Sequence, residues 1–201
     1  MRLNWLNKKN NNNLIIFFNG WGMDDNVISH LDYGNYDVLT ICDYNTLTEL
    51  PDITAYKQRH IIAWSMGVMV ATIFETDPTS ATAINGTPYP IHQEFGINPK
   101  VYRLMELGFS DETKNDFYTK MFNVLPANFT PPTRDTKGQK TELTALRAYS
   151  ANQNFTYSRI IVSNNDKIIP TKSQLNYWET PEIIEGGHCI FYQYNKWEEL
   201  L

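Results

Sequence analysis

Ala63-Trp64-Ser65-Met66-Gly67 follows directly on the apolar run His60-Ile61-Ile62 and leads into Val68-Met69-Val70-Ala71-Thr72-Ile73-Phe74. A β-branched run, a serine with small residues two positions to either side, and a helical pattern read as strand, sharp turn, helix. In a nucleophile elbow such a turn holds the Ser hydroxyl exposed at the top of a strand. The flanking residues must be small because the turn is tight and its neighbours come close. Ala63 fills the first small position in place of glycine, a relaxed form of the pattern. The plainer reading of the same residues is a Ser that caps a helix after a strand.

Working upstream, Leu14-Ile15-Ile16-Phe17-Phe18 is long enough for a buried strand and ends in Asn19-Gly20-Trp21-Gly22-Met23-Asp24. A glycine-bearing loop after an early strand can place one backbone N–H at an oxyanion hole, and the residue after the nucleophile supplies the other. Those donors would be Trp21 and Met66. An ordinary Asn-Gly turn is the plainer alternative. Downstream, the strand-like Arg159-Ile160-Ile161-Val162 ends near Asp166, and Pro181-Glu182-Ile183-Ile184-Glu185 leads into Gly186-Gly187-His188. An acid and then a His, each after a strand, follow the chain order Ser, acid, His of α/β-hydrolases. Taken singly, an Asp after a strand is a turn or cap residue and a His is structural. Asp24 and Asp43 are rival acids, but neither lies between Ser65 and His188. Cys189 is a rival nucleophile with no elbow around it.

The expected fold is α/β: a mostly parallel central sheet with helices on both faces. Leu3–Leu6 and Leu14–Phe18 read as a β-hairpin around the asparagine run at 10–13. Further strands are expected at Tyr36–Ile41, His60–Trp64 and Ser80–Gly86, with a helix over Met66–Glu75. The alternation breaks at about residues 91–153, where helices are expected at Val101–Leu107, Asp111–Phe122 and Thr141–Ala151. This is expected to be a helical lid inserted over the strand ends, where open α/β sheets bind ligands, within a single domain spanning 1–201.

Composition narrows the function. The chain has 201 residues and a net charge of −5, which argues against general nucleic-acid binding. No apolar run approaches the roughly 20 residues of a membrane span, and the N-terminus shows no signal-peptide pattern. Two cysteines do not make a disulfide framework, so a cytoplasmic protein is expected. The four histidines have no metal-ligand spacing, and the chemistry outlined needs no metal or cofactor. Positive charge concentrates at 100–150, with eight Lys or Arg against six Asp or Glu; the remainder has nine against sixteen. Within it, Arg134, Lys137, Lys140 and Arg147 form a candidate docking surface for an acidic partner, or simply a solvated helix face.

Together, Phe18–Asp24, Ala63–Val68, Asn85-Gly86-Thr87-Pro88 and Gly186-Gly187-His188 resemble the BioG-type pimeloyl-[acyl-carrier protein] methyl ester esterases, small α/β-hydrolases of biotin synthesis. The resemblance implies Ser65 as nucleophile, His188 as base, Asp166 as acid and Trp21 in the oxyanion loop. It also implies a substrate: a seven-carbon diacyl chain on acyl carrier protein, capped as a methyl ester. Other readings are a carboxylesterase or thioesterase of small acyl substrates, or a non-catalytic binding protein of the same fold.

Overall fold

The computed structural model describes residues 1–201. Seven strands form one sheet: β1 (Arg2–Asn7), β2 (Asn13–Phe18), β3 (Tyr36–Cys42), β4 (Gln58–Trp64), β5 (Ser80–Ile84), β6 (Arg159–Ser163) and β7 (Glu182–Ile184). Their order is β1-β3-β2-β4-β5-β6-β7, and every pairing but β1·β3 is parallel. The continuous apolar run of β2 is what a strand buried on both faces requires. Successive side chains leave a strand on opposite sides. Leu14, Ile16 and Phe18 therefore join Leu39, Ile61 and Ala63 in one core. Ile15 and Phe17 join Val38, Ile62 and Trp64 in the other.

The expected N-terminal hairpin does not form. β1 pairs antiparallel with β3, and β2 lies on the far side of β3. The reason is Asp37, fully buried at the start of β3. Its Oδ1 accepts the N–H groups of Lys9 and Asn11 at 2.9 and 3.3 Å and the Asn11 amide at 2.9 Å. The asparagine loop is thereby carried across the end of β3, and both edges of β2 stay free for parallel partners.

The helix after Ser65 is also shorter than expected: α1 spans only Gly67–Ala71. Beyond it Thr72, Ile73 and Phe74 donate to carbonyls three residues back, and Thr72 Oγ1 bonds Met69 O at 2.7 Å. A hydroxyl that bonds back to the preceding turn competes with helix continuation. Three helices lie between β5 and β6: α2 (Pro99–Gly108), α3 (Lys114–Met121) and α4 (Thr136–Leu146). The third was expected at Thr141–Ala151. It begins earlier because Asp135 caps it, accepting Gly138 N–H at 2.7 Å. Its buried stripe is Gln139, Glu142, Leu143 and Leu146, at helical spacing but half polar, so apolar periodicity alone placed it too late. The last helix, α5 (Thr171–Tyr177), follows β6. No helix is long and apolar enough to cross a membrane.

Candidate active site

Ser65 stands between β4 and α1 with φ at +58°, a left-handed conformation that costs a non-glycine residue energy. Its surroundings hold the turn. A Cβ on Gly67 would lie 2.3 Å from Phe18 O, and one on Gly86 would lie 2.4 Å from Ser65 O, so neither position admits a side chain. Ala63 sits mid-sheet, paired with Phe18 and Ala83, and needs no such close approach.

Ser65 Oγ lies 2.8 Å from His188 Nε2, and His188 Nδ1 lies 2.7 Å from Asp166 Oδ2. All three residues are buried. Asp166 Oδ1 accepts the N–H groups of Ile168 and Ile169 at 2.8 and 3.1 Å, and Oδ2 also accepts the Gln174 amide at 2.9 Å. Every partner of this carboxylate besides the imidazole is a donor. Assigning the ring proton to Nδ1 satisfies it and leaves Nε2 free to accept from Ser65.

The loop carrying His188 is fixed by polar residues that motif reading leaves without a role. The His188 carbonyl accepts from Trp64 Nε1 and Asn85 Nδ2, each at 2.9 Å. Asn85, itself at positive φ, accepts Ser163 N–H at 2.7 Å. Gln174 on α5 bonds both Asp166 and Ile169 O. Asn85 was visible as part of a motif; Gln174 carries no local signal, because its partner is reached only when α5 packs back under β6.

The N–H groups of Trp21 and Met66 donate to no protein acceptor. Both residues line one small cavity together with Ser65 and His188. The loop bearing Trp21 is held from α4. Trp21 Nε1 donates to Gln139 O at 2.7 Å, and Gln139 Nε2 donates to Gly22 O at 2.8 Å. Glu142 accepts Gly22 N–H at 3.1 Å and Tyr44 N–H at 2.8 Å. Glu142 also pairs with Arg134, whose other terminal nitrogen lies 2.9 Å from Asp43. Burial pushes the Glu142 carboxyl up, while Arg134 and the two N–H groups pull the other way.

That pairing removes Arg134 from the expected docking surface. Its side chain is 4% exposed and spent on two carboxylates. Lys137 and Lys140 are exposed on α4, the latter bonding Leu107 O at 2.9 Å. Arg147 is half-exposed and bonded to the buried Glu106. The rival acids are engaged elsewhere. Asp24 accepts from Asn26 and Thr133, and Asp43 pairs with Arg134 and Asn45. Cys189 is buried, and burial pushes its thiol up, away from the reactive thiolate. No cluster of three His, Cys, Asp or Glu side chains that could hold a metal ion forms.

The cavity over Ser65 is nearly closed. Ile97, Met105, Phe117 and Met121 roof it, leaving about 10 Å³, room for one water. The arrangement is suited to acyl transfer: a hydroxyl, a base oriented by a carboxylate, and two unpaired N–H groups in a nearly closed, mostly apolar pocket.

Comparison with known proteins places this architecture. Residues 1–200 match the family described as Pimeloyl-ACP methyl esterase BioG. The crystal structure of BioG from Haemophilus influenzae is 30% identical, with a TM-score of 0.92, covering 100% of this chain and 99% of that one. A malonyl-[acyl-carrier protein] O-methyltransferase of Bacteroides fragilis is 30% identical over 177 residues, which are 82% of this chain but only 36% of that longer protein. A lipase-esterase related protein from Clostridium acetobutylicum is 13% identical with a TM-score of 0.59, covers 92% of this chain and 90% of its own, and shares the fold alone. The chain belongs to the BioG family of pimeloyl-ACP methyl esterases, α/β-hydrolases of biotin biosynthesis.

Proposed function

We propose that Ser65, His188 and Asp166 hydrolyse the methyl ester of a pimeloyl chain held on acyl carrier protein. The unbroken chain from Ser65 Oγ through the imidazole to Asp166, at 2.8 and 2.7 Å, is the observation that carries the reading. A neutral hydroxyl is a weak nucleophile and needs an adjacent base. His188 Nε2 takes the Oγ proton as Oγ bonds the ester carbonyl carbon. Asp166 holds the imidazole in orientation and stabilises the imidazolium. The carbonyl oxygen becomes an oxyanion facing the N–H groups of Trp21 and Met66, each such donor being worth about 3 kcal/mol. His188 returns the proton to the methoxy oxygen, and methanol leaves. A water then attacks the acyl-enzyme by the same route, freeing the distal carboxylate and Ser65. Similarity to a protein named as a methyltransferase acting on a carrier-bound acid supports a methyl ester as the bond broken. We place the protein in the reducing cytoplasm, which suits its two free cysteines.

The test is the mass of pimeloyl-carrier methyl ester before and after incubation. A loss of one CH₂ with the thioester intact is expected. Release of free carrier thiol would replace this reading with a thioesterase. Ser65→Ala is expected to lower turnover by about 10⁴-fold or more while leaving the thermal unfolding midpoint close to that of the unmodified protein. Residual turnover within about tenfold would show that the nucleophile lies elsewhere.

A further inference from the structure

The catalytic cavity admits one water, yet the proposed substrate is a long acyl arm. Some part of its wall must therefore move. We propose that the arm enters through the groove between α2 and α3, with Met105 and Phe117 as the movable partition between groove and Ser65. This rests on the carrier-bound ester reading and names the route that substrate takes.

Three observations carry it. The first is continuity. The groove has a volume of about 340 Å³, within the range of small-molecule sites, and Met105 and Phe117 line both it and the catalytic cavity. The two other large depressions nearby share no side chain with that cavity. One is edged by Phe122, Glu185 and Gly187, the other by Tyr89, Arg147 and Tyr149.

The second observation is apolar exposure without a partner. Val101, Leu104 and Leu107 on α2 are 50, 68 and 58% exposed. Val101 and Leu104 edge the groove, and Phe109 and Phe117 continue it inward. Helices of a water-soluble fold normally turn such a row into the core, so its exposure marks a binding surface. An alkyl chain passing along it would stay in apolar contact up to the partition.

The third is charge. Lys120 and Asp116 both line the groove, and Lys100 stands at the start of α2, one residue before the lining Val101. Lys140 reaches the end of α2 at Leu107 O, one residue from the lining Gly108. In a chain whose net charge is −5, Lys100, Lys120 and Lys140 beside one groove suit the phosphate of a pantetheine arm and the acidic protein that bears it. The depression beside Glu185 lacks a lining cation.

The partition is built to move. Met105 is an unbranched side chain with three rotatable bonds. Phe117 is half-buried and held by edge contacts to Trp21 and Phe109 at centroid distances of 4.9 and 6.1 Å, with no hydrogen bond to break.

The native thiols of Cys42 and Cys189 are buried and pushed up by burial, Cys42 to about 12, so an introduced surface cysteine is the reactive one. Leu104→Cys would be labelled with a bulky methanethiosulfonate, with Ser150→Cys in the Arg147 depression as the control. Two rates are read: phosphonylation of Ser65 by a long-chain alkyl fluorophosphonate, and turnover of the carrier-bound ester. The label on Leu104→Cys is expected to slow both by about tenfold or more, with recovery on reduction, and the label on Ser150→Cys to slow neither. Undiminished phosphonylation with Leu104→Cys labelled would overturn the route, as would a block from Ser150→Cys alone. If the unlabelled protein reacts with the fluorophosphonate but not with the carrier-bound ester, the substrate reading fails, and the route is still decided by the phosphonylation arm.

Discussion

Asp166 orients His188 only if it is itself held, and its holding falls to two backbone N–H groups and Gln174. The amide of Gln174 is buried, so its removal leaves Asp166 Oδ2 with one partner fewer and no water to replace it. Gln174→Met keeps the side chain's length and removes the donor. It is expected to lower kcat by about tenfold with little change in KM, since the substrate touches neither atom. Steady-state kinetics on a p-nitrophenyl ester checks this; equal changes in kcat and thermal stability across a Gln174→Glu control would reduce the residue to packing. Ser65, Asp166 and His188 were legible together rather than singly, because their order along the chain, each after a strand, is the one acyl-transfer chemistry uses on this fold. Gln174 was not, because nothing in a helix sequence tells which polar side chain will face inward.

At the scale of elements, two buried carboxylates decide how segments are joined. Burial alone would raise the Asp37 carboxyl, but the Lys9 and Asn11 amides and the Tyr56 hydroxyl outweigh it and hold it below the usual carboxylate range. A depressed pKa contributes stability above the unfolded value near 4, and that contribution is lost as pH falls through the folded value. Asp37→Asn is expected to cost about 1.5–3 kcal/mol at neutral pH and to flatten the acid side of the stability curve, read by urea unfolding from pH 3 to 7. An unchanged acid limb would remove Asp37 from the linkage. On α4, Glu142 is the second such group, joining the helix to the Trp21 loop while paired with Arg134. Glu142→Gln leaves the buried guanidinium with Asp43 alone, and is expected to cost about 3 kcal/mol together with part of kcat. Adding Arg134→Met to Glu142→Gln should recover stability but not kcat, because the buried charge is gone while the loop's acceptor stays weakened. Recovery of both would deny the helix any part in positioning the loop.

For the whole molecule, charge matters more than any one contact. A protein of net charge −5 repels an acidic carrier at long range unless a basic face turns toward it. With Arg134 buried, Lys137 and Lys140 are the exposed cations of α4. Reversing both, as Lys137→Glu with Lys140→Glu, is expected to raise KM for the carrier-bound ester several-fold and leave a small free ester unaffected. The defect should shrink with added salt, since the screening length falls to about 10 Å at 0.1 M. Equal loss on both substrates would point instead to damage in the insertion's folding.

Sequence by itself determined the sheet strands and singled out Ser65, Asp166 and His188, because both are written in residue type and order along the chain. Apolar runs such as Leu14–Phe18 have one low-energy destination, a strand buried on both faces. The elbow shows as a serine after an apolar run with a glycine two positions on, at Gly67. Only the tertiary structure decided the rest. It separated β1 from β2 through Asp37, began α4 at Asp135, and turned Arg134 inward rather than out. In each case a polar side chain found a buried partner distant in sequence. The free energy of such a pairing depends on what the fold brings within about 3 Å, a distance that spacing along the chain does not encode.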